Sequence, residues 1–198
     1  MDLELDTEDK LELQRPKDAP FKATFTGSRI IVWNHEEGST LFGLGYFGKP
    51  SGIRKPKTPR FARPLELTLM ETLYLAEMDI LEVFQAGEML SMDTLRTTFA
   101  ACFEDFDDQY TVYSDLRNLR YIPRPGLKFG TDFSVYQRGP GIDHSPFLVQ
   151  VFPRGTRIQP IDLVRAGRLA TSVRKRYVIA TVLPDRQVRY YIFSWHKP

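Results

Sequence analysis

The sequence predicts a mixed α+β fold in two parts. The first is a small N-terminal α+β domain. The second is a C-terminal domain in which a mixed β-sheet is flanked by helices. Two observations point there. Apolar residues recur with period two, then at three- and four-residue spacing, then again with period two along the 198 residues. Charge also segregates: Leu65 to Tyr110 holds eleven acids and one base, Arg96, whereas Tyr136 to the end holds eleven Lys/Arg against Asp143, Asp162 and Asp185. The net charge of +2 hides this division, and the C-terminal part carries a positive field suited to a polyanion.

Residues 1 to 20 are acidic, then Pro-containing, and read as a flexible tail. Lys22 to Phe25 and Arg29 to Trp33 alternate around Thr26-Gly27-Ser28, a hairpin signature. Lys49 to Pro64 contains six bases, four prolines and no acid, and reads as an extended, mobile basic loop. Thr68-Leu69-Met70-Glu71 is a capping box ahead of Leu73, Tyr74, Leu75 and Met78, so a helix starts there. A second helix follows Ser91, with Leu95, Phe99 and Phe103 on one face, and a third carries Val112, Leu116 and Leu119. Strands are expected at Phe129–Tyr136, Pro146–Phe152, Tyr177–Leu183 and Val188–Trp195, with a helix at Ile161–Val173 between the second and third. The parts divide as 21–105 and 106–198, with the boundary near Phe103 to Gln109.

Composition excludes several classes of function. No apolar run approaches the ~20 residues that span a bilayer, and the acidic start has no signal-peptide character. The single cysteine, Cys102, allows no disulfide framework, fits a reducing cytoplasm, and reads as a core thiol among Phe99, Ala100, Ala101 and Phe103. Gly43-Leu44-Gly45-Tyr46-Phe47-Gly48 matches G-x-G-x-x-G, but a proline-rich loop follows it and cannot open the helix that a dinucleotide site needs. His35, His144 and His196 are too scattered for a zinc set, and the only E-x-K match, Glu8-Asp9-Lys10, lies in the tail. No metal site and no cofactor are expected.

Ala166 to Ala180 reads as a cationic helix running straight into a buried strand, which places Arg174-Lys175-Arg176 at a helix end. Upstream stand Tyr136, a Gly-Pro-Gly loop, and His144. A tyrosine, a histidine and a lysine in one basic domain suit ribonuclease chemistry without a metal, because the RNA 2′-hydroxyl is a built-in nucleophile. The enzyme must help remove that hydroxyl's proton, protonate the departing 5′-oxygen and stabilise the pentacoordinate phosphorane. Histidine suits the acid's part, since its pKa is near neutrality. Lysine suits the clamp. Tyrosine is then the candidate base: at pKa about 10 it is a poor one, but nearby cations favour the phenolate. Tyr136 either takes the proton or only orients the hydroxyl.

Tyr113-Ser114-Asp115-Leu116-Arg117, Lys128-Phe129-Gly130-Thr131-Asp132-Phe133, Val135-Tyr136, His144-Ser145 and the Arg168-to-Lys175 helix end resemble the catalytic domain of archaeal tRNA-splicing (tRNA-intron) endonucleases. Residues 21 to about 105 are similar to that family's N-terminal domain through Gly45-Tyr46-Phe47-Gly48 and Leu65-Glu66-Leu67-Thr68. The resemblance implies a restriction-endonuclease-like catalytic domain. It also implies metal-independent excision of introns from precursor tRNA at a bulge-helix-bulge, leaving 2′,3′-cyclic phosphate and 5′-hydroxyl ends. In it Tyr136 takes the general-base place, His144 the general-acid place and Lys175 that of the transition-state stabiliser. Arg168 and Trp195 take the places of the pair that clamps a flipped bulge base, which an Arg–aromatic pair suits chemically.

Members of that family assemble as homotetramers, fused dimers or α2β2 heterotetramers, with an acidic loop of one subunit in a basic groove of another. Leu183-Pro184-Asp185-Arg186 occupies the loop's place, with Asp185 its only acid. One triad per chain implies at least two copies to cut both splice sites, so a four-chain assembly is expected, either a homotetramer or an α2β2 with a non-catalytic partner. Three features depart from the family pattern: a shorter Tyr136-to-His144 loop, Arg120 where a turn glycine is typical, and a longer basic insertion at 49–64. The competing reading is a non-catalytic RNA-binding or scaffolding subunit of the same complex.

Overall fold

A computed structural model describes residues 20–54, 56, 58–102 and 104–193. The expected tail therefore lies outside the described residues apart from Pro20, as do Phe103 and Trp195. Mixed α+β architecture is present as two sheets and five helices. The N-terminal half comprises β1 (Phe21–Phe25), β2 (Ile30–Val32), α1 (His35–Gly45), β3 (Lys49–Pro50), β4 (Leu65–Leu67), α2 (Leu69–Glu77), β5 (Leu81–Gln85), β6 (Glu88–Met89) and α3 (Met92–Ala100). Its sheet runs β3-β4-β2-β1-β5-β6. The C-terminal half comprises α4 (Phe106–Asn118), β7 (Ile122–Pro125), β8 (Phe133–Tyr136), β9 (Phe147–Val151), α5 (Pro160–Ser172), β10 (Arg176–Val182) and β11 (Val188–Phe193), with sheet order β11-β10-β9-β8-β7.

The hairpin forms as β1 and β2, with Thr24 opposite Ile31. At α2 the Thr68 hydroxyl accepts the Glu71 N–H while the Glu71 carboxylate accepts the Thr68 N–H. Ser91 caps α3 through the Thr94 N–H. One main core runs through both halves: Phe25 and Phe99 meet edge to face, Phe106 stacks on Tyr110, and Tyr113 reaches Phe133. Helix α4 supplies the middle of that core, with Phe106, Tyr110, Val112, Tyr113 and Leu116 all buried. A smaller cluster, Leu148, Ala170, Tyr177 and Ile179, seats α5 on the opposite face of the second sheet.

Several elements differ from the expectations. The strand expected from Phe129 begins at Phe133, because Leu127–Phe129 forms a 3-10 turn closed by Gly130 at φ 63°. Cys102 is exposed rather than a core thiol. Helix α3 stops at Ala100, so the Leu95–Phe99 face never reaches it. Helix α1 and strand β7 carry no clear sequence signal. Three glycines weaken α1, which Asn34 caps by accepting the Glu36 and Glu37 N–H groups. Strand β7 contains two prolines and survives because it lies at the sheet edge, where a missing N–H costs no ladder bond. The basic loop is tied at both ends: Ser51 N–H donates to Pro64 O, and the Ser39 hydroxyl bonds both backbone groups of Phe61. Arg120, which stands where a turn glycine is typical of the family pattern, adopts φ 66°. Among the described residues no helix is long and apolar enough to cross a membrane.

Candidate active site

Register places two of the expected residues, Tyr136 and Lys175, along one end of the second sheet. Val135 on β8 faces Phe147 on β9, and Arg176 on β10 also faces Phe147. One residue further out, Tyr136, Pro146 and Lys175 stand in a row across adjacent chains, with strand spacings of about 4.8 Å. Alternation along β8 sends Phe133 and Val135 into the main core, and so turns Ser134 and Tyr136 to the α5 face. Tyr136 and Lys175 are half-buried, while His144, two residues before Pro146, is exposed.

Lys175 is held tightly. Helix α5 ends, Arg174 turns through φ 55°, and Lys175 N–H closes on Ala170 O at 2.8 Å. Its Nζ donates to both the carbonyl oxygen and the hydroxyl of Ser145, each at 2.5 Å. The buried Ser145 hydroxyl also lies 2.8 Å from that of buried Ser134. Phe129 presents its ring 5.4 Å from Lys175 Nζ and 5.7 Å from Lys128 Nζ. Burial lowers the Lys175 pKa; Asp143 opposes that shift and Lys128 adds to it. Two of the three ammonium hydrogens are thus taken by Ser145, and the third remains for a ligand oxygen.

The loop before His144 is organised by Asp143. Its carboxylate accepts the N–H groups of Gln137 at 3.2 Å, Arg138 at 3.1 Å and Gly139 at 3.0 Å. His144 therefore follows a fixed carboxylate and precedes a serine fixed by lysine. The supports Ser134, Ser145, Asp143 and Phe129 were not assigned roles from the sequence. Only the His144-Ser145 and Lys128-Phe129 pairs pointed toward them.

Arg168 is exposed on α5, two turns before Lys175, and its expected partner Trp195 lies outside the described residues. Asp185 is exposed in the β10–β11 turn, where its Oδ1 accepts the Gln187 N–H at 3.2 Å. Burial raises the Asp108 pKa, and the charge of Arg186 from that turn opposes the shift. Among the described residues no group of three or more His, Cys, Asp or Glu is arranged to hold a metal ion.

Comparison with known proteins matches residues 106–190 to the tRNA intron endonuclease catalytic C-terminal domain and residues 21–96 to the tRNA intron endonuclease N-terminal domain. A tRNA-splicing endonuclease of Hyperthermus butylicus is 44% identical over 179 residues, covering 89% of this chain and 99% of that protein. Proteins of the same name from Saccharolobus islandicus and Saccharolobus solfataricus are 40% and 39% identical over 181 residues, each covering 89% of this chain and 98% of the relative.

Proposed function

From the premise that this chain belongs to the tRNA intron endonuclease family and is a tRNA-splicing endonuclease, we propose that it excises introns from precursor tRNA at bulge-helix-bulge motifs without a metal ion. The observation that carries the reading is the row of Tyr136, Pro146 and Lys175 at one sheet end, with His144 two residues before Pro146 in the adjoining loop.

In this reading Tyr136, as phenolate, takes the 2′-hydroxyl proton while the 2′-oxygen attacks phosphorus. Lys175 offers its free N–H to the phosphorane oxygen in a half-buried setting, where the interaction is stronger than in water. The bond from phosphorus to the 5′-oxygen breaks, and His144 gives that oxygen its proton. The products are a 2′,3′-cyclic phosphate and a 5′-hydroxyl. Atoms and charge balance with no co-reactant. Arg168, exposed on the preceding helix, clamps a flipped bulge base, with Trp195 as the opposite face.

Assembly follows from the number of sites. One triad cuts one junction, so two junctions need at least two copies. Strand β11 is an edge strand with Tyr191, Ile192 and Phe193 all exposed, an open ladder suited to another subunit. We propose a four-chain assembly, a homotetramer or an α2β2 with a non-catalytic partner, acting in the cytoplasm, with Asp185 at a subunit contact. The test is cleavage of a bulge-helix-bulge RNA in EDTA by the purified chain, alone and with a co-expressed partner. Cyclic-phosphate product supports the proposal. A strict requirement for magnesium, or no cutting by either preparation, overturns it.

A further inference from the structure

The Gly43–Gly48 segment is unused by the chemistry above, yet it joins the two halves of the molecule. Tyr46 closes α1 in the left-handed region, φ 57°, with its N–H donating to Phe42 O at 2.7 Å. A bulky residue adopts that conformation only when its surroundings enforce it. Two arginines of the catalytic half do so. Arg117 donates to Gly45 O at 2.8 Å, with its guanidinium 4.0 Å from the Phe47 ring centre. Arg124 donates to Tyr46 O at 2.6 Å, Gly48 O at 2.8 Å and the buried Glu71 carboxylate at 2.7 Å.

What this fixed turn presents is the Tyr46 ring, and what the ring meets is Gly139. A Cβ on Gly139 would stand 2.3 Å from Tyr46 Cε2, and Gly139 itself sits at φ 136°. Ring and loop backbone are therefore in direct contact, with no space for any side chain between them. Gly139 is also the knot of its loop: its carbonyl accepts the N–H groups of Ile142 at 3.1 Å and Asp143 at 3.2 Å, and its own N–H donates to Asp143. Burial, and after it the Asp143 charge, raise the Tyr46 pKa. His144 thus hangs between two anchors. Ser145 is fixed within the catalytic half, and Asp143 leads back through Gly139 to the N-terminal half.

We infer that Tyr46 is a positioning residue for RNA cleavage: its ring, held out by Arg117 and Arg124, seats the Gln137-to-Asp143 loop and thereby sets where the His144 imidazole stands. The inference rests on the reading of His144 as general acid. Ordinary packing between the halves would cost stability when the ring is removed but would not act through His144.

The test compares single-turnover cleavage of a bulge-helix-bulge RNA with RNA affinity from filter binding, using the full chain in the assembly it forms. The variants are Tyr46→Gly, Tyr46→Phe, Gly139→Ala, His144→Ala and the double Tyr46→Gly/His144→Ala. Glycine is chosen at 46 because it accepts the left-handed backbone without strain. We expect Tyr46→Gly and Gly139→Ala each to slow cleavage on the order of 10- to 100-fold, the scale set by an ångström of misplacement. RNA affinity should stay within about threefold, Tyr46→Phe should restore most of the rate, and Tyr46→Gly should slow the His144→Ala enzyme no further. Wild-type rates in Tyr46→Gly and Gly139→Ala overturn the inference, as does a loss confined to affinity, or an equal slowing with and without His144. Gly139→Ala sets a methyl group against the Tyr46 ring from the loop side, so it tests the same contact if Tyr46→Gly fails to fold. Should His144→Ala itself cleave at the wild-type rate, the general-acid reading falls and takes the inference with it. A dead His144→Ala beside a fully active Tyr46→Gly sinks the inference alone.

Discussion

Lys175 shows how a single side chain is prepared for its part. Its ammonium lies over the Phe129 ring, two of its hydrogens are held by Ser145, and burial lowers its pKa. The ammonium is therefore lost at a lower pH than an ordinary lysine's value of about 10.4. A guanidinium does not titrate in that range. The ratio of wild-type to Lys175→Arg single-turnover rates cancels the titrations that both enzymes share. It should be constant at neutral pH and fall as pH rises through the lowered Lys175 pKa. A ratio constant up to pH ~10.5 would contradict the assigned role. At this scale the residue types that could perform the chemistry were readable in the sequence, because few side chains can do acid, base and clamp work near neutrality. Ser134, Ser145 and Tyr46 were not readable. Their contribution depends on contacts between residues 11 to 93 positions apart, so the local motifs that contain Ser145 and Tyr46 gave neither of them a role.

Elements carry the site as rigid carriers do, and two of them make separate predictions. Asp132, at the entry to β8, accepts the side-chain amide of Gln150 and the N–H of Val151, both at 2.7 Å, which ties β8 to β9. Burial raises its pKa, the Val151 N–H opposes that shift, and Asp105 adds to it. The folded state therefore takes up this proton before the unfolded chain does as pH falls. Stability from this group is full below the unfolded value of about 3.9 and is lost as pH rises through the raised folded value. Asp132→Asn keeps an acceptor without the charge. Its melting temperature should exceed the wild type's at pH 7, with the gap closing under acid conditions; a gap independent of pH would contradict the argument. The basic loop at 49–64 is the second element, since its Pro56 carbonyl borders Gly141 of the active-site loop. Removing the loop should weaken cleavage of imperfect bulge substrates more than strict ones, and equal losses would refute that role. Capped, strongly periodic elements such as α2 were legible from sequence. Helix α1 and strand β7 were not, because the tertiary contacts of α1 outweigh its glycines and an edge position excuses the prolines of β7.

One core is shared by both halves of the molecule, and they are joined by charge as well as by apolar packing. Glu71 is 1% exposed and accepts the N–H groups of Gly48 and Thr68 as well as the Arg124 guanidinium. Arg124→Ala would leave that carboxylate buried with its charge partner gone, and should cost about 3–5 kcal/mol in denaturant unfolding. A loss below about 1 kcal/mol would show that the pair is solvated in solution. The central claim at this scale is that a phenol, an imidazole and an ammonium group together cut one phosphodiester, with the imidazole releasing the 5′-oxygen. The most direct measurement uses a bulge-helix-bulge RNA whose bridging 5′-oxygen at the cut site is replaced by sulfur, cleaved in EDTA by the wild type and by His144→Ala. A thiolate departs without a proton, so the variant's deficit of about 10²- to 10⁴-fold on the oxygen substrate should largely vanish on the sulfur one. An equal deficit on both substrates would contradict the account.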